Sequence, residues 1–371
     1  ACRNCQRNEE TTPIVTAPMP APVIKGSLVS PSLLAHVMDQ KFGYGLPLYR
    51  QEQQFAGLGV DISRQTMANW VMRGAEDYIA SLYRRMHEHL VGFDILHADE
   101  TTVQVLHEPG REPETKSFMW VYCTGRYEPP IVLFDYQMTR AGSHPREFLS
   151  GFEGYLHVDG YSAYEGMLNV ILACCWAHAR RKFDEAQKAL PAAKRSSDTA
   201  AQKGLELCNR LFAIEHDLRD LTPEERCRLR QERSRPVLDE LLALLYKLEP
   251  NVLPKSALGK AIHYCLNQWD KLQTFMLDGR LEISNNRIER AIRPFVIGRN
   301  SWLFANTPRG ARASAMIYSI VQTAKENGLN VFVYLCYLFE RMPNMDIKDP
   351  AVLDELLPYS PSLPDSCRVK R

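Results

Sequence analysis

The segment Phe93-Asp94-Ile95-Leu96-His97-Ala98-Asp99-Glu100-Thr101 decides the fold, because it is an apolar run of β character that ends in a carboxylate. Such a run predicts a buried strand, and a charged Asp99 at its end is costly unless it is paired or binds a metal ion. More β-rich segments follow, with one helix expected over 145–152. The five predicted strands are 93–98, 118–124, 131–136, 155–158 and 170–175. Three strands in succession, then alternating helix and strand, predict a mixed sheet with helices packed on it.

The overall composition is that of an ordinary globular protein. The chain has 371 residues, of which 45% are hydrophobic and 24% are charged, and this excludes a disordered, collagen-like or coiled-coil protein. Its 45 Lys and Arg residues face 44 Asp and Glu residues, so the net charge is +1. The chain as a whole therefore lacks the strongly basic balance that marks many nucleic-acid-binding proteins. No uninterrupted apolar run reaches about 18 residues, so we expect no transmembrane helix.

The cysteines and the first residues indicate a cytoplasmic protein. The ten cysteines are scattered and include the neighbours Cys174 and Cys175. In a long chain without a secretory signal, such cysteines are expected to be reduced thiols. Residues 1–10 are polar and carry no signal-peptide pattern. Because the sequence begins with Ala1 rather than Met, we expect a fragment or a processed form.

Residues 1–25 combine the pair Cys2-Arg-Asn-Cys5 with a proline-rich linker. One such pair is half of a zinc site, which normally needs four ligands. Two interpretations stay open: two free thiols in a frayed terminus, or the end of a zinc finger whose first half lies upstream of Ala1.

Residues 26–91 predict a helical region. Ser30 and Ser63 stand at helix starts, and glycines separate the short helices. Short helices with tight turns fit a helix-turn-helix module and a small helical packing domain equally well. In the first case, the residues expected to face DNA are Arg64, Gln65, Asn69 and Arg73.

The second half of the chain is mainly helical. Residues 176–275 are rich in Leu, Ala, Glu and Arg and contain no convincing strand. The tail, 342–371, has several prolines. The predicted helices are 177–190, 205–218, 223–248, 257–273, 286–292, 311–327 and 350–357.

Three acidic residues have the types that a two-metal site needs. Asp99 and Asp159 each end a β segment, and Glu289 lies on a helix that Ser284 or Asn285 would cap. Carboxylates are protein ligands of Mg²⁺, and two such ions activate the nucleophile and stabilise the leaving oxygen in phosphoryl transfer. Taken singly, each acid is more often a cap, a turn residue or a salt-bridge partner. Spacing alone therefore decides nothing.

Four sequence motifs occur in order along the chain. They are His97-Ala98-Asp99-Glu100-Thr101, Val158-Asp159-Gly160-Tyr161, Cys175-Trp176-Ala177-His178-Ala179-Arg180-Arg181-Lys182-Phe183 and Asn285-Asn286-Arg287-Ile288-Glu289-Arg290-Ala291-Ile292-Arg293-Pro294. In these motifs the chain resembles the transposases of bacterial insertion-sequence-66 elements, a DDE family with an RNase H-like catalytic core. The similarity continues upstream in Leu46-Pro47-Leu48-Tyr49-Arg50-Gln51-Glu52 and downstream to Tyr318-Ser319, so it covers nearly the whole chain.

The resemblance implies which residues are catalytic and which metal they bind. Asp99, Asp159 and Glu289 would be the DDE triad, and they would hold two Mg²⁺ or Mn²⁺ ions. Cys2 and Cys5 look like the end of the family's zinc-finger region, so Zn²⁺ is a further expected cofactor of a full-length finger.

The resemblance also implies the domain organisation. An RNase H-like α/β core, with a mixed five-stranded sheet and flanking helices, is expected over 92–183 and 277–341. A large all-helical insertion, 184–276, would interrupt it, and 26–91 would be the N-terminal helical DNA-binding region. Residues 1–25 and 342–371 would be the zinc-finger remnant with its linker and the C-terminal tail.

The chain departs from the family pattern at two places. Ser284 stands where the family usually has Asp, and Ser can still cap the helix, so we expect little catalytic loss. A Lys that is common between Arg299 and Asn300 is missing, which weakens an expected DNA contact.

The pair Cys175 and His178 resembles a C/D-x-x-H signature that follows the second Asp in several DDE families. Its spacing would also suit two zinc ligands, but no partner pair lies nearby in the sequence. We expect a structural role, with His178 hydrogen-bonded near the site.

Basic residues cluster around the same motifs. From Arg287 to Arg312 there are six Arg against one Glu, and Arg180-Arg181-Lys182 is a second cluster. Arg binds phosphate bidentately, and an aromatic side chain can stack on an unpaired base. The alternative is a solvated charged face. The residues expected to contact DNA are Arg180, Arg181, Arg290, Arg293, Arg299, Asn300 and Trp302.

The sequence therefore predicts a cytoplasmic bacterial DNA transposase that cleaves the 3′ ends of its element and joins them to target DNA. Its expected partners are the terminal inverted repeats, the target DNA, further copies of itself on paired ends and helper proteins of the same element. No membrane partner is expected. Two alternatives stay open: a catalytically inactive or repurposed DNA-binding protein, and another RNase H-like nuclease.

Overall fold

A mixed five-stranded sheet forms the centre of the protein. The computed structural model describes residues 19–192, 195–196 and 198–369, so Cys2 and Cys5 lie outside the described residues. The strands are β1 (Ile95–Gln104), β2 (Lys116–Thr124), β3 (Val132–Gln137), β4 (Gly154–Val158) and β5 (Val170–Cys174). Their order is β3-β2-β1-β4-β5, antiparallel between β1, β2 and β3 and parallel from β1 through β4 to β5. The prediction of five strands in a mixed sheet with packed helices is confirmed.

Strand β1 is longer than the sequence predicts, and this corrects the placement of Asp99. The strand continues to Gln104, because the β-branched residues after Glu100 favour extended structure and pair with β2 as far as Lys116. Asp99 therefore lies inside the strand rather than at its end. On the other side of β1, pairing with β4 stops at His97 opposite His157.

In the described part of the chain, four helices precede the sheet. Ser30 and Ser63 cap two of them as predicted, each accepting a backbone hydrogen bond at 3.1 Å from the residue three positions on. Short π-helical segments, Asp39–Gly43 and Ala75–Ile79, extend the helices that these serines cap. The four are α1 (Pro31–Met38), α2 (Leu48–Gly57), α3 (Arg64–Gly74) and α4 (Ala80–Leu90).

Among the described residues, ten further α-helices surround the sheet and follow it. They are α5 (Ser143–Phe148), α6 (Trp176–Lys188), α7 (Ala200–Asp217), α8 (Pro223–Leu248), α9 (Ala257–Asn267), α10 (Trp269–Gln273), α11 (Asn286–Trp302), α12 (Pro308–Glu326), α13 (Val331–Arg341) and α14 (Pro350–Leu356). The predicted helix over 257–273 is two helices that meet at Gln268. Helix α11 runs past its predicted end and through Pro294, because its apolar face, which includes Ile288 and Phe295, is buried in the core. Helix α13 was not predicted.

Helix α12 covers the outer edge of β3. The hydroxyl of Ser319 accepts a hydrogen bond from the backbone of Phe134 at 2.8 Å, and that of Thr323 accepts from Val132 at 3.0 Å. These bonds satisfy edge-strand donors that would otherwise be free to pair with another chain.

A buried arginine joins the helical stretch α7 to α10 to the segment that leads to α11. Arg230 is fully buried and bonds both carboxylate oxygens of Glu215 at 2.7 Å. It also donates to the carbonyls of Phe275, Asp278 and Leu281, in the segment that leads to α11. The eight cysteines that the structure describes are all free. Within the described residues, no helix has the length and apolar character needed to cross a bilayer.

Candidate active site

The two aspartates reach the site from neighbouring parallel strands. His97 of β1 is paired with His157 of β4, and Asp99 and Asp159 each follow two residues later. Alternate residues of a strand point to the same face, and β4 ends at Val158, so Asp159 lies in the turn that follows. This register places both carboxylates at the end of the paired segment.

The turn after β4 depends on glycine. Gly160 has φ of +95°, in the left-handed region that other residues rarely adopt. One Asp159 carboxylate oxygen accepts from the backbone N–H of Tyr161 at 2.8 Å, and the Tyr264 hydroxyl donates to the Asp159 carbonyl at 2.9 Å. Helix α9, which carries Tyr264, thus helps to fix the second aspartate.

Glu289 comes to the site on the first turn of α11, and Asn285 holds that helix against β1. Asn285 is buried at the N-cap position, but its side chain makes no capping bond. Its amide nitrogen donates to the Ala98 carbonyl at 2.9 Å, and its oxygen lies 2.8 Å from Nδ1 of His97. The expectation that Ser284 or Asn285 caps α11 by its side chain is therefore wrong. The Asn285 amide instead joins the helix to the residues just before Asp99.

The strand register and the Asn285 contacts bring the three acids to the same region, where their charges interact. The pKa of Asp99 is raised from 3.8 to about 7, first by burial and then by the charge of Glu100, with Asp159 and Glu289 adding to it. Mutually repelling carboxylates at a partly buried position fit a divalent cation, because its charge would relieve the repulsion and its preferred ligands are oxygens. The residues available to hold Mg²⁺ or Mn²⁺ are Asp99, Asp159 and Glu289.

Two stacked histidines lie beneath the aspartates. The rings of His97 and His157 are nearly parallel, with centroids 5.0 Å apart. Burial lowers the pKa of His97 to about 4 and that of His157 to about 3, so both rings are neutral at pH 7. Nε2 of His157 donates to the Glu282 carbonyl at 2.6 Å. The sequence motifs contain a His two residues before each aspartate, but the structural role of these histidines was not predicted.

Glu100 was also missed. Adjacent residues of a strand point to opposite faces, and Glu100 is bonded by the Tyr164 hydroxyl at 2.7 Å and by Arg140 Nε at 2.7 Å. Arg140 also lies 3.7 Å over the ring of Tyr161. Burial raises the pKa of Glu100, and these two donors oppose that rise. Glu100 thus ties β1 to the turn that follows Asp159.

Cys175 and His178 border the site. Cys175 is the N-cap residue of α6, is fully buried, and its sulfur accepts the backbone N–H of Asn285 at 3.1 Å. Nε2 of His178 lies 3.9 Å from a Glu289 oxygen. Among the described residues, His178 Nδ1 is buried without a hydrogen-bond partner. The ligand atoms of Cys175, His178 and Glu289 all lie within 4.8 Å of one another.

Several of the expected DNA contacts are exposed beside these acids. Arg181, Arg290 and Arg293 are exposed, and no ion pair within 4.0 Å involves them among the described residues. The charge of Arg181 helps to lower the pKa of His178, for which burial is the largest cause. Arg180 is exposed too and donates to Asn209 at 2.6 Å. An exposed basic surface therefore flanks Glu289.

The remaining expected contacts differ in their surroundings. Arg299 is half-buried and donates to the hydroxyl of Thr102 at 3.0 Å and to that residue's carbonyl, which ties the end of α11 to β1. Trp302 is half-buried, with its ring in edge contact with Phe295 at 5.3 Å. Asn300 is exposed. Arg299 and Trp302 therefore already have intramolecular partners that the sequence did not reveal.

The fold and site define an α/β protein in which an aspartate of β1, an aspartate in the turn after the parallel strand β4 and a glutamate of α11 lie in the same region beside a basic surface. Comparison with known families gives the particular one. Residues 26–313 match the family described as Transposase IS66 family, and residues 319–359 match the IS66 C-terminal element. The chain belongs to the IS66 family of transposases.

Similar relatives come from Sinorhizobium fredii (strain NBRC 101917 / NGR234). The uncharacterized protein y4jD is 32% identical over 359 residues, which cover 92% of this chain and 67% of that protein. The uncharacterized protein y4qI is 34% identical over 350 residues, covering 89% and 62%. The chain thus spans about two thirds of the length of these relatives.

Proposed function

We propose that the chain is a DDE transposase whose sheet and flanking helices form an RNase H-like core. The observation that carries the proposal is the placement of Asp99, Asp159 and Glu289, which are distant in sequence: the His97–His157 pairing sets the two aspartates on neighbouring strands, and the Asn285 contacts hold the Glu289 helix against β1. The strand order, with β1 between antiparallel β2 and parallel β4, supports the same core. The helices from α7 to α10 would be its all-helical insertion.

The proposed reaction is two successive phosphoryl transfers. Water first breaks the P–O3′ bond at each 3′ end of the element, leaving a free 3′-OH. That 3′-OH then forms a new phosphodiester with target DNA, while a P–O3′ bond of the target breaks. Two Mg²⁺ ions held by the triad would supply activation of the nucleophile and stabilisation of the leaving oxygen.

The chain's own residues orient this site. Asn285 fixes the Glu289 helix against β1, and the stacked pair of His97 and His157 supports the strands that carry the aspartates. Since burial keeps both rings neutral, they add no positive charge that would compete with a cation. Catalysis by positioned ligands tolerates little displacement, because a misplacement of about 1 Å can cost about 100-fold in rate.

The proposed DNA surface runs beside Glu289. Arg181, Arg290 and Arg293 would bind phosphates, which fix the position of a duplex but carry no sequence information. Helix α3 would be the recognition helix of a helix-turn-helix, since Arg64 and Asn69 on it are exposed. We further propose that copies of the chain assemble on paired ends in the cytoplasm, with helper proteins of the same element.

Strand transfer on the chain's own element tests the proposal. The substrate is a labelled duplex taken from inverted repeats that flank the gene, incubated with the full chain and Mg²⁺ or Mn²⁺. The expected result is a joined product that disappears when EDTA is added. Binding of the repeats without cleavage would favour the repurposed DNA-binding protein. Cleavage of branched DNA without joining would favour another RNase H-like nuclease.

A further inference from the structure

We propose that Cys175, His178 and Glu289 form a binding site for one borderline-soft divalent cation of the zinc class. Their ligand atoms, one thiol sulfur, one imidazole nitrogen and one carboxylate oxygen, lie within 4.8 Å of one another. This site shares Glu289 with the proposed Mg²⁺ site but adds ligands that Mg²⁺ does not favour. Its occupant would therefore differ from the catalytic metal.

The donor set decides the class of ion. Thiolate and imidazole select zinc and similar transition metals, whereas Mg²⁺ takes oxygen ligands. Three protein ligands with an open fourth position are typical of zinc sites that keep a water molecule. Here Glu289 and His178 are only partly buried, so solvent can reach the fourth position, while Cys175 is enclosed.

The geometry is close to what tetrahedral zinc requires. Zinc binds nitrogen and oxygen at about 2.0–2.2 Å, so two such ligands of one tetrahedral ion lie about 3.4 Å apart. Nε2 of His178 is 3.9 Å from the Glu289 oxygen, so a side-chain shift of about half an ångström brings these two ligands to that spacing, and the Cys175 sulfur lies within 4.8 Å of both. Both side chains are partly exposed and have room for that adjustment.

The imidazole of His178 is not held by another group. Nε2, the nitrogen that would bind the ion, lies 3.9 Å from Glu289, beyond hydrogen-bond distance, and Nδ1 has no hydrogen-bond partner in the described part of the chain. The sulfur of Cys175 already accepts the backbone N–H of Asn285 at 3.1 Å, a contact that also stabilises a thiolate. Sulfur and imidazole are thus both arranged as ligands.

Occupancy would have a consequence for the transposase. Zinc at this site would take Glu289 from the triad, so zinc would inhibit DNA cleavage in the presence of Mg²⁺. This consequence rests on the proposed function, whereas binding of the cation does not.

Cobalt titration tests the site without any DNA. The full chain carries Cys2→Ser and Cys5→Ser, so that the terminal pair cannot bind metal, and CoCl₂ is added while the absorption spectrum is recorded. We expect one equivalent of Co²⁺ with a thiolate-to-cobalt charge-transfer band. Cys175→Ser should abolish the band, whereas Cys174→Ser, the matched neighbour, should retain it.

A second variant keeps the test valid if Cys175→Ser unfolds the protein. His178→Ala removes a partly exposed ligand and should weaken Co²⁺ binding by at least about tenfold, since even outer-shell partners of metal ligands are worth about 10–100-fold. Absence of a cobalt–thiolate band in the starting protein would overturn the site. An unchanged band in Cys175→Ser, or an unchanged Co²⁺ affinity in His178→Ala, would overturn it as well. A normal cobalt site in a chain that never cleaves DNA would refute only the proposed function.

The inhibitory consequence has its own readout. ZnCl₂ is added, at a concentration that fills the site, to end cleavage in Mg²⁺, and each protein is compared with its own zinc-free rate. The protein with Cys175 in place should lose cleavage when zinc is added, whereas the Cys175→Ser variant should keep its own zinc-free cleavage rate. Full activity of the zinc-loaded protein would contradict the sharing of Glu289.

Discussion

Replacing Asn285 with alanine should both destabilise the protein and disable the site. The Asn285 side chain is buried and makes two bonds that join the start of α11 to β1, one to His97 Nδ1 at 2.8 Å and one to the Ala98 carbonyl at 2.9 Å. Alanine removes both partners and leaves a buried donor and a buried acceptor unpaired. Each orphan costs about 1–3 kcal/mol, so the free energy of unfolding should fall by about 2–6 kcal/mol.

The assay is urea unfolding, followed by intrinsic fluorescence, with the free energy taken from the midpoint shift at an unchanged m value. Asn286→Ala is the matched control, because Asn286 is the exposed neighbour at the first position of α11. It should stay within about 0.5 kcal/mol of the wild type, as surface substitutions usually do. Water entering the space left by the Asn285 amide would restore part of the loss and sets the lower end of the range.

The same variant should lose activity beyond its loss of stability. In protein that is still folded, end cleavage in Mg²⁺ should fall by at least about tenfold, because Glu289 is no longer held in register with Asp99. An Asn285→Ala protein that unfolds and cleaves like Asn286→Ala would refute the role assigned to this amide.

Three further predictions concern the surroundings of the site. Arg230→Met should lower the free energy of unfolding by about 3–5 kcal/mol in urea, because it removes one partner of a buried ion pair and three carbonyl contacts. Asp135→Asn should raise that free energy by up to about 3 kcal/mol at pH 8 but by little at pH 4, because burial raises the pKa of Asp135 to about 6 from 3.8. The cost of the charged Asp135 is absent below pH 3.8, grows with pH and is complete above about pH 6. Gly160→Ala should lower the free energy of unfolding by about 1–3 kcal/mol in urea, because the φ of +95° at this position strains any side chain.

Each of these predictions has a control within the chain. Arg233→Met removes an exposed pair with Asp217 and should cost no more than about 1 kcal/mol, so an equal loss in both arginine variants would contradict the buried role. A pH-independent effect of Asp135→Asn would refute the charge argument. Gly57→Ala, at an open position of α2 with ordinary φ, should not destabilise, and equal effects at Gly57 and Gly160 would remove the backbone explanation.

The sheet was predictable because its strands are short runs of apolar, β-branched and aromatic residues bounded by turn residues. The packing of the site was harder to predict from the sequence. That Asp99 and Asp159 lie side by side follows from the pairing of His97 with His157, a long-range register that no local pattern encodes. The sequence resemblance, rather than periodicity, selected these two aspartates from the other acids.

Other features escaped prediction because their signals are ambiguous locally. Asn285 has the appearance of a helix cap, but its side chain bonds across to β1 instead. Helix α13, Val331–Arg341, is apolar at most positions and rich in β-branched and aromatic residues, so periodicity cannot separate helix from strand. Arg299 looked like a free DNA contact, although its partners are supplied by β1, nearly two hundred residues earlier.

The central claim is that Asp99, Asp159 and Glu289 act as one metal-dependent catalytic centre. The most direct measurement is single-turnover 3′-end cleavage of a terminal-repeat duplex in Mg²⁺ by the wild type, Asp99→Asn, Asp159→Asn, Glu289→Gln and the control Asp135→Asn. Each triad variant should lose at least about a thousandfold, equivalent to about 4 kcal/mol of the barrier, while folding normally and still binding the duplex. Asp135→Asn, which removes a carboxylate from the same sheet, should cleave at the wild-type rate. Wild-type cleavage by any of the three triad variants would contradict the claim.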